Sequence, residues 1–291
     1  MEGPKPNVHC LFHEGTNTAC YVVSCPETKK CAVVDPIMDF DSVNLKTSGE
    51  HVDKVCEYIT SNSLDPIYIL ETHVHADHLT GAQLLLRYFP NCLTAIGFNI
   101  TQVQKTFANI FNFKDMATDG SQFGKLIQDG EEFQLGNVKC KGMHTPGHTP
   151  ACMTYIMGDA VFSGDTIFMP DYGTSRCDFP GGSAEQLYDS IMKIYSLPDE
   201  CRLFVGHDYV SESRKEIRWE TTIGEEKASN KQLNASTPKQ EFVDWRTNRD
   251  SGLNLPRLIT QSLQVNLLNG KLPEPEDNGF AYLKIPINAL K

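Results

Sequence analysis

Short apolar runs bounded by turn residues recur up to about residue 210 and predict β-strands. Apolar residues at helical spacing instead predict helices over 52–61 and 184–195. A further helix is predicted over 79–88, where Pro90 would end it. The predicted strands span 18–24, 31–35, 66–70, 126–130, 132–135, 138–140, 152–157, 160–163 and 203–205.

The order of these elements indicates two sheets packed face to face. Strands and helices come in two successive mixed blocks, which favours two packed sheets with helices outside over an alternating parallel sheet. From about residue 211 the composition becomes charged and polar, and prolines punctuate the tail. We therefore expect one large domain over 1–210 and a C-terminal extension over 211–291. The apolar residues of 253–268 and 279–290 would pack this extension on the core or across a dimer partner.

Composition limits the possible partners. The chain has 291 residues, of which 40% are hydrophobic and 22% are charged, as is typical of a globular protein. Its 26 Lys and Arg against 37 Asp and Glu give a net charge of −11, which argues against nucleic acid or an anionic membrane as a partner. No apolar run reaches the roughly 18 residues that a membrane span needs. Because the N-terminus also lacks a signal-peptide pattern, a cytoplasmic location is expected.

The ten cysteines raise the question of disulfide bonds. They include no Cys-x-x-Cys pair, and no secretory signal accompanies them. Free, buried thiols are therefore expected rather than a disulfide framework.

The candidate chemistry is concentrated just after the predicted strand 66–70. Three histidines and one aspartate follow it within six residues, namely His73, His75, Asp77 and His78. Imidazoles and a carboxylate at this density favour a bound cation, because a cation offsets the cost of burying them together.

Three further candidate ligands each come directly after a glycine, near the end of a predicted strand. They are His148, Asp165 and His207. A glycine allows the backbone to turn sharply and to approach an ion without a Cβ clash. The other histidines lack this context and are not candidate ligands.

The motif His-x-His-x-Asp-His, followed by Gly-His, Gly-Asp and Gly-His, resembles the metallo-β-lactamase superfamily over about residues 12–209. The resemblance implies an α+β fold, an αββα sandwich with the metal site at one edge between the sheets, here with a C-terminal extension. His-Ala-Asp-His before Leu-Thr-Gly, the sequence Arg-Cys-Asp-Phe at 176–179 and the final Gly-His-Asp-Tyr are similar to persulfide dioxygenases. Glyoxalase II enzymes usually end on Gly-His-Glu-Tyr instead. Residues 171–176 form a longer stretch than the turn that compact members of the superfamily have at this position.

The resemblance to persulfide dioxygenases implies one Fe(II) per chain, bound to His73, His148 and Asp165. Two histidines and one carboxylate are the ligand set of non-haem Fe(II) oxygenases. The other four candidates would then orient these ligands: His75, Asp77, His78 and His207.

A resemblance to glyoxalase II implies instead two zinc ions that activate a shared water. Asp165 would bridge the two ions. One ion would be held by His73, His75 and His148, and the other by Asp77, His78 and His207. The ligand types alone leave both alternatives open.

The dioxygenase resemblance also implies a substrate, glutathione persulfide, which would be oxidised to sulfite and glutathione. Tyr209 is expected to act as a catalytic residue by hydrogen bonding near the metal. Glutathione carries two carboxylates, so a local group of cations is expected despite the net charge. Arg214 and Arg218 follow the last ligand and are expected to bind the substrate, because a guanidinium pairs well with a carboxylate.

Three functions remain open at this point. The first is an iron-dependent persulfide dioxygenase, which the residues flanking the ligands favour. The second is a dinuclear zinc hydrolase of a thioester such as hydroxyacylglutathione, or of another ester or a lactam. The third is a metal-binding protein without enzyme activity. The family resemblance further implies a homodimer that acts on a small-molecule thiol or persulfide.

Overall fold

The structure, a computed structural model, describes residues 3–290. Its strands are β1 (Asn7–His13), β2 (Thr18–Ser24), β3 (Lys30–Val34), β4 (Ile37–Asp41), β5 (Lys46–Ser48), β6 (Asp65–Leu70), β7 (Leu79–Thr80), β8 (Leu93–Gly97), β9 (Lys125–Ile127), β10 (Glu132–Leu135), β11 (Val138–His144), β12 (Met153–Met157), β13 (Ala160–Gly164), β14 (Arg202–Val205) and β15 (Glu220–Thr222). Its helices are α1 (Glu50–Ser61), α2 (Ala82–Tyr88), α3 (Ile100–Phe111), α4 (Ala184–Tyr195), α5 (Ile223–Ser229), α6 (Lys239–Ser251) and α7 (Ile259–Asn266).

Two six-stranded mixed sheets form the centre of the molecule. The first has the strand order β1-β2-β3-β6-β8-β9, antiparallel from β1 to β3 and parallel from β3 to β9. The second has the order β10-β11-β12-β13-β14-β15, in which β13 and β14 pair in parallel and the other neighbours are antiparallel. A small third sheet has the order β5-β4-β7.

The main hydrophobic core lies between the two large sheets. Tyr21 of β2 packs there against Phe162 and Phe204 of the second sheet, with ring centroids 5.3 and 5.5 Å apart. Its neighbour Val22 points the other way, into a cluster with Val52 and other residues of α1 and α2. Apolar residues of α4 cover the outer face of the second sheet in the same manner. Helices thus flank both sheets, which confirms the predicted αββα sandwich.

Most predicted strands and helices are confirmed, with two corrections. The strand predicted over 126–130 ends at Ile127, and a turn follows it. The helix predicted over 79–88 begins only at Ala82, because the first two residues instead pair with β4 as strand β7. The backbone N–H of Thr80 also donates to Oδ1 of Asn266 at 2.8 Å. Both interactions hold this segment extended, and neither partner is close in sequence.

Helix α3 and the three helices after residue 211 were not predicted from the sequence. For α3 a signal was present, since Ile100, Val103, Phe107 and Phe111 follow helical spacing and are all buried. For α6 there was little to find, because its apolar residues form no clear face.

Part of the C-terminal extension packs into the body of the protein. Ile259, Leu263 and Leu267 of the α7 region join a core cluster with Phe107 of α3. The following segment behaves differently, because most of the large apolar residues of 279–290 stay exposed: Phe280, Tyr282, Ile285 and Ile287.

The ten cysteines are all free thiols, as predicted, and all but Cys10 are buried. Within residues 3–290, none of the helices has both the length and the apolar character that a membrane crossing requires.

Candidate metal centre

The loops that follow β6 of the first sheet and β11, β13 and β14 of the second sheet bring the seven predicted ligands together. Asp165 lies at the middle of this cluster. Its Oδ2 is 3.8 Å from Nε2 of His73 and 3.8 Å from Nε2 of His148. Its Oδ1 is 3.4 Å from Nε2 of His207. Asp165 can therefore contact two groups of donors at once.

A second group of donors lies beside the first. His75, Asp77 and His78 each offer an atom within 4.8 Å of the other two. Oδ2 of Asp77 is also 3.4 Å from Nε2 of His207, which links this group to Asp165. The cluster therefore contains the three residues expected to bind one iron and the seven residues expected to bind two zinc ions.

Hydrogen bonds fix which ring nitrogen of each histidine is free. Nδ1 of His148 donates to the carbonyl of Arg176 at 2.8 Å, and Nδ1 of His207 donates to the carbonyl of Asn17 at 3.0 Å. Because a carbonyl only accepts, each Nδ1 must carry the proton, and Nε2 keeps its lone pair for a metal. Nδ1 of His78 donates in the same way to Asp77 at 2.9 Å.

Two residues that the sequence analysis missed orient the remaining histidines. Asp35 accepts from Nε2 of His75 at 3.0 Å, which leaves Nδ1 of His75 free. Asp35 also accepts from the Thr72 hydroxyl at 2.8 Å, so that this hydroxyl can accept in turn from Nδ1 of His73 at 3.0 Å. Glu71 supplies a second carboxylate 3.4 Å from Nε2 of His75. Both acidic residues stand at the end of a strand, but nothing in the sequence pairs them with a histidine.

The free atoms of the cluster have no partner within the described chain. Nε2 of His73, Nδ1 of His75, Nε2 of His78 and Oδ1 of Asp165 are buried without a hydrogen bond. Leaving such atoms unpaired costs roughly 1–3 kcal/mol each. Bound metal ions would satisfy such atoms, and imidazole and carboxylate donors suit zinc or iron. The residues therefore fit a metal centre.

Burial and the mixture of acidic and basic side chains determine the pKa values within the cluster. Burial lowers the pKa of His78 to about 4. Burial also lowers the pKa of His207, but Asp165 and Asp77 outweigh it and leave that pKa raised. The pKa of Asp77 is well below its usual range, since His207 and His78 more than offset the effect of burial. Asp77 is thus a carboxylate and His78 a neutral imidazole near pH 7, the forms that bind metals.

The glycines before the ligands are needed because of close neighbours. Gly147 has φ of +145°, and a Cβ there would lie 2.4 Å from the backbone of Leu187 in α4. A Cβ on Gly164 would lie 2.4 Å from the Thr72 hydroxyl. The positive φ at both glycines agrees with the predicted sharp turns, and the close contacts show that packing also requires a residue without a side chain here.

Comparison with protein families agrees with this geometry. Residues 13–207 match the model of the family described as the metallo-beta-lactamase superfamily. The chain belongs to this superfamily.

Relatives within the superfamily carry names of two kinds. "Glyoxylase B2" of Dictyostelium discoideum is 50% identical over 267 residues, 91% of each chain. "Persulfide dioxygenase ETHE1, mitochondrial" of Homo sapiens is 28% identical over 250 residues, 85% of this chain and 81% of that one. The crystal structure of ETHE1 from Myxococcus xanthus superposes with a TM-score of 0.73 at 27% identity, and the match covers 91% of this chain and all of that one.

A cavity of about 710 Å³ opens onto this superfamily metal site at Asp77, His148 and Asp165. Tyr209 lines it and stacks on His207, with ring centroids 5.4 Å apart. Burial and the nearby carboxylates of Asp77 and Asp165 raise the pKa of Tyr209 well above its usual value, so its hydroxyl stays protonated and can donate. Tyr209 therefore lies beside the candidate metal site, and its catalytic role stays a prediction.

The two arginines predicted to bind the substrate lie elsewhere. The guanidinium of Arg214 makes two hydrogen bonds to Asp208, at 2.6 and 2.7 Å, and two to Asp171, both at 3.1 Å. Arg218 is exposed, and neither arginine is among the residues that line the cavity. Their proximity to His207 in sequence therefore does not bring their charges to the cavity.

Proposed function

We propose that the protein is a persulfide dioxygenase that binds one iron at His73, His148 and Asp165. The observation that carries the proposal is the convergence of two imidazoles and one carboxylate, with Oδ2 of Asp165 3.8 Å from both Nε2 atoms. This is the ligand set of non-haem Fe(II) oxygenases. The similarity to proteins named ETHE1, one of them called a persulfide dioxygenase, supports the same reaction.

One carboxylate oxygen of the neighbouring group is already satisfied within the protein. Oδ2 of Asp77 already accepts hydrogen bonds from Nδ1 of His78 at 2.9 Å and from the Thr18 hydroxyl at 3.2 Å. A carboxylate oxygen that is satisfied within the protein gains less from a metal than one without a partner. The unpartnered atoms near this group are Nδ1 of His75, Nε2 of His78 and Oδ1 of Asp165, which is 3.4 Å from Nε2 of His207. These atoms would suit a second ion, as the second candidate function requires. In the dioxygenase proposal, Asp77 and His78 support the iron site, and the expected metal content is one ion per chain.

The substrate would be glutathione persulfide. When bound, Fe(II) supplies coordination positions at which dioxygen and a sulfur anion are activated together. The protein's own residues position the substrate: Phe168 and Phe179 give the cavity apolar walls, and Tyr209 offers a hydroxyl donor. One dioxygen and one water are consumed, their three oxygen atoms leave in sulfite, and glutathione is released.

An oxygen-electrode assay on iron-loaded protein tests the proposal. Glutathione persulfide should cause oxygen uptake with equal release of sulfite. His148→Ala removes a ligand and should lower kcat/KM by about 100-fold or more, beyond the usual cost of losing a supporting group. His144→Ala is the matched control, because His144 bonds to the Pro150 carbonyl and offers nothing to the cluster. Iron-containing protein that takes up no oxygen with the persulfide would overturn the proposal.

A dinuclear zinc hydrolase of acylglutathione thioesters is the second candidate. Two observations favour it: the group of His75, Asp77 and His78 close to Asp165, and the name of the Dictyostelium relative. This alternative predicts about two zinc ions per chain and thioester hydrolysis by zinc-loaded protein. His78→Ala separates the candidates, since it should halve the metal content of a dinuclear enzyme and leave a mononuclear one with its single ion.

A further inference from the structure

The wall of the cavity at the metal site is built partly by the C-terminal extension. Residues from 231 to 257 line it on one side, while the metal-site loops line the other. Five cations lie along the cavity: Arg176, Lys231, Arg246, Arg249 and Arg257. In a chain with a net charge of −11, this many cations around one cavity needs an explanation.

Two of these cations are neutralised by carboxylates. Arg176 forms two hydrogen bonds to Asp178, both at 2.6 Å. Arg246 donates to Asp250, also at 2.6 Å, in a buried pair. They hold the wall together and contribute little net charge to the cavity.

The other three cations form no ion pair with any carboxylate in the described part of the chain. Lys231 has its ammonium 5.6 Å from the centre of the Tyr172 ring. Arg257 donates to the hydroxyl of Ser42 at 3.2 Å, and Arg249 is exposed in the last turn of α6. The extension thus presents three unneutralised charges to the cavity.

Two buried polar atoms on the same wall also lack a partner. The hydroxyl of Ser175 and Nε of Arg246 belong to cavity-lining residues that are 3% and 4% exposed, and neither atom makes a hydrogen bond. Buried polar atoms are seldom left unpaired unless a ligand or water completes them. These two buried atoms are an observation separate from the three exposed cations, and they too indicate that a ligand binds at this wall.

We propose that Lys231, Arg249 and Arg257 form a carboxylate-binding subsite, completed by Ser175, which selects thiol substrates with an anionic tail. The subsite deepens the proposed function, since glutathione carries two carboxylates, and it rests on that function for the identity of the reacting sulfur. The C-terminal extension is then the specificity element of the enzyme. A small or neutral persulfide would reach the metal but would leave the three cations unpaired.

Binding of S-methylglutathione, measured by calorimetry on metal-loaded protein, tests the subsite without any turnover. The dicarboxylate should bind more tightly than its diethyl ester, and added salt should weaken binding of the dicarboxylate more, because charge pairing is screened. Arg249→Ala or Lys231→Ala should weaken binding of the dicarboxylate by about tenfold, the usual cost of a hydrogen bond to a charged group. Neither change should affect the ester.

Lys239→Ala is the matched control, because Lys239 belongs to the same extension but pairs with Asp189 outside the cavity. Equal binding of acid and ester, or cation variants that bind like the control, would overturn the subsite. Failure of the proposed function gives a different result: no oxygen uptake, with discrimination between acid and ester intact. Thermal melting of each variant shows whether it is folded.

Discussion

At each candidate histidine the partner of one ring nitrogen decides what the other nitrogen can do. Carbonyls hold His148 and His207, while carboxylates hold His75 and His78. Asp35, which holds His75, has φ of +51°, a left-handed conformation that is uncommon for a residue with a side chain. Such a conformation at a functional site is maintained by its surroundings, here by hydrogen bonds from Thr72 and His75.

Arg214 is expected to contribute to stability rather than to substrate binding. Arg214→Ala would leave the fully buried Asp208 without its guanidinium partner, so unfolding in urea should show a loss of about 3 kcal/mol. KM for the persulfide should stay unchanged. Arg218→Ala, an exposed neighbour, should change stability by less than about 0.5 kcal/mol. A raised KM with normal stability in Arg214→Ala would instead favour the role expected from the sequence.

The residue types of the metal centre could be predicted from sequence, and the cations of the cavity could not. The seven candidate ligands are recognisable because they are concentrated in short motifs at strand ends. Arg249 and Arg257 stand among charged and polar residues with no motif around them. Only the folding of the extension over the cavity distinguishes them from Arg218.

At the scale of elements, sequence periodicity was informative wherever one packing surface dominates. The helix over 184–195 was predicted because α4 covers one face of a sheet. The segment 79–81 was misassigned because its conformation is set by β4 and Asn266, both remote in sequence. Local patterns predict an element well when its own burial decides its shape, and poorly when a distant partner does.

Helix α1 carries a histidine that should make stability depend on pH. His51 is 2% exposed, and burial lowers its pKa to about 4. Its Nε2 donates to the carbonyl of Leu11, and its Nδ1 has no partner. Below a pH of about 6.5, His51 becomes protonated in the unfolded chain but stays neutral in the folded chain. The free energy of unfolding therefore falls as the pH drops towards 4.

The His51 contribution between pH 7.5 and pH 5 should be about 2 kcal/mol. His51→Gln cannot be protonated, so its free energy of unfolding in urea should fall by that much less over the same range. Subtracting the two pH dependences isolates His51 from the other titrating groups. Identical pH dependences in the two proteins would show that His51 does not resist protonation.

At the scale of the whole molecule, the C-terminal extension stabilises a loop of the candidate metal site through hydrogen bonds. Asn266 of α7 is 3% exposed, and its amide donates to the carbonyls of His75 and His78 at 2.9 and 2.8 Å. Its Oδ1 accepts from the backbone of Thr80 at 2.8 Å. One side chain of the C-terminal extension thus fixes the loop that carries four of the seven candidate ligands.

Asn266→Ala should therefore affect metal binding as well as stability. Removing the amide leaves buried backbone groups of the loop unpaired, at a cost of about 3 kcal/mol in urea unfolding. A less rigid loop should also weaken metal binding, measured by competition with a chelator, by about tenfold. Asn278→Ala, an exposed asparagine of the same extension, is the control. Unchanged metal affinity in Asn266→Ala would mean that the loop keeps its shape alone.

The hydrogen bonds that the candidate histidines donate to carbonyls and carboxylates of the protein have one more consequence. Since protein acceptors, and not the ion, set the tautomers, the coordinating lone pairs are aimed before any metal arrives. Stripping and refilling the pocket should then require no refolding, and the polypeptide can exchange one divalent metal for another while its architecture stays constant. What the pocket contains in a given preparation would reflect the metal supply during growth, so catalysis after defined reconstitution is the measurement that distinguishes the native ion from a substitute.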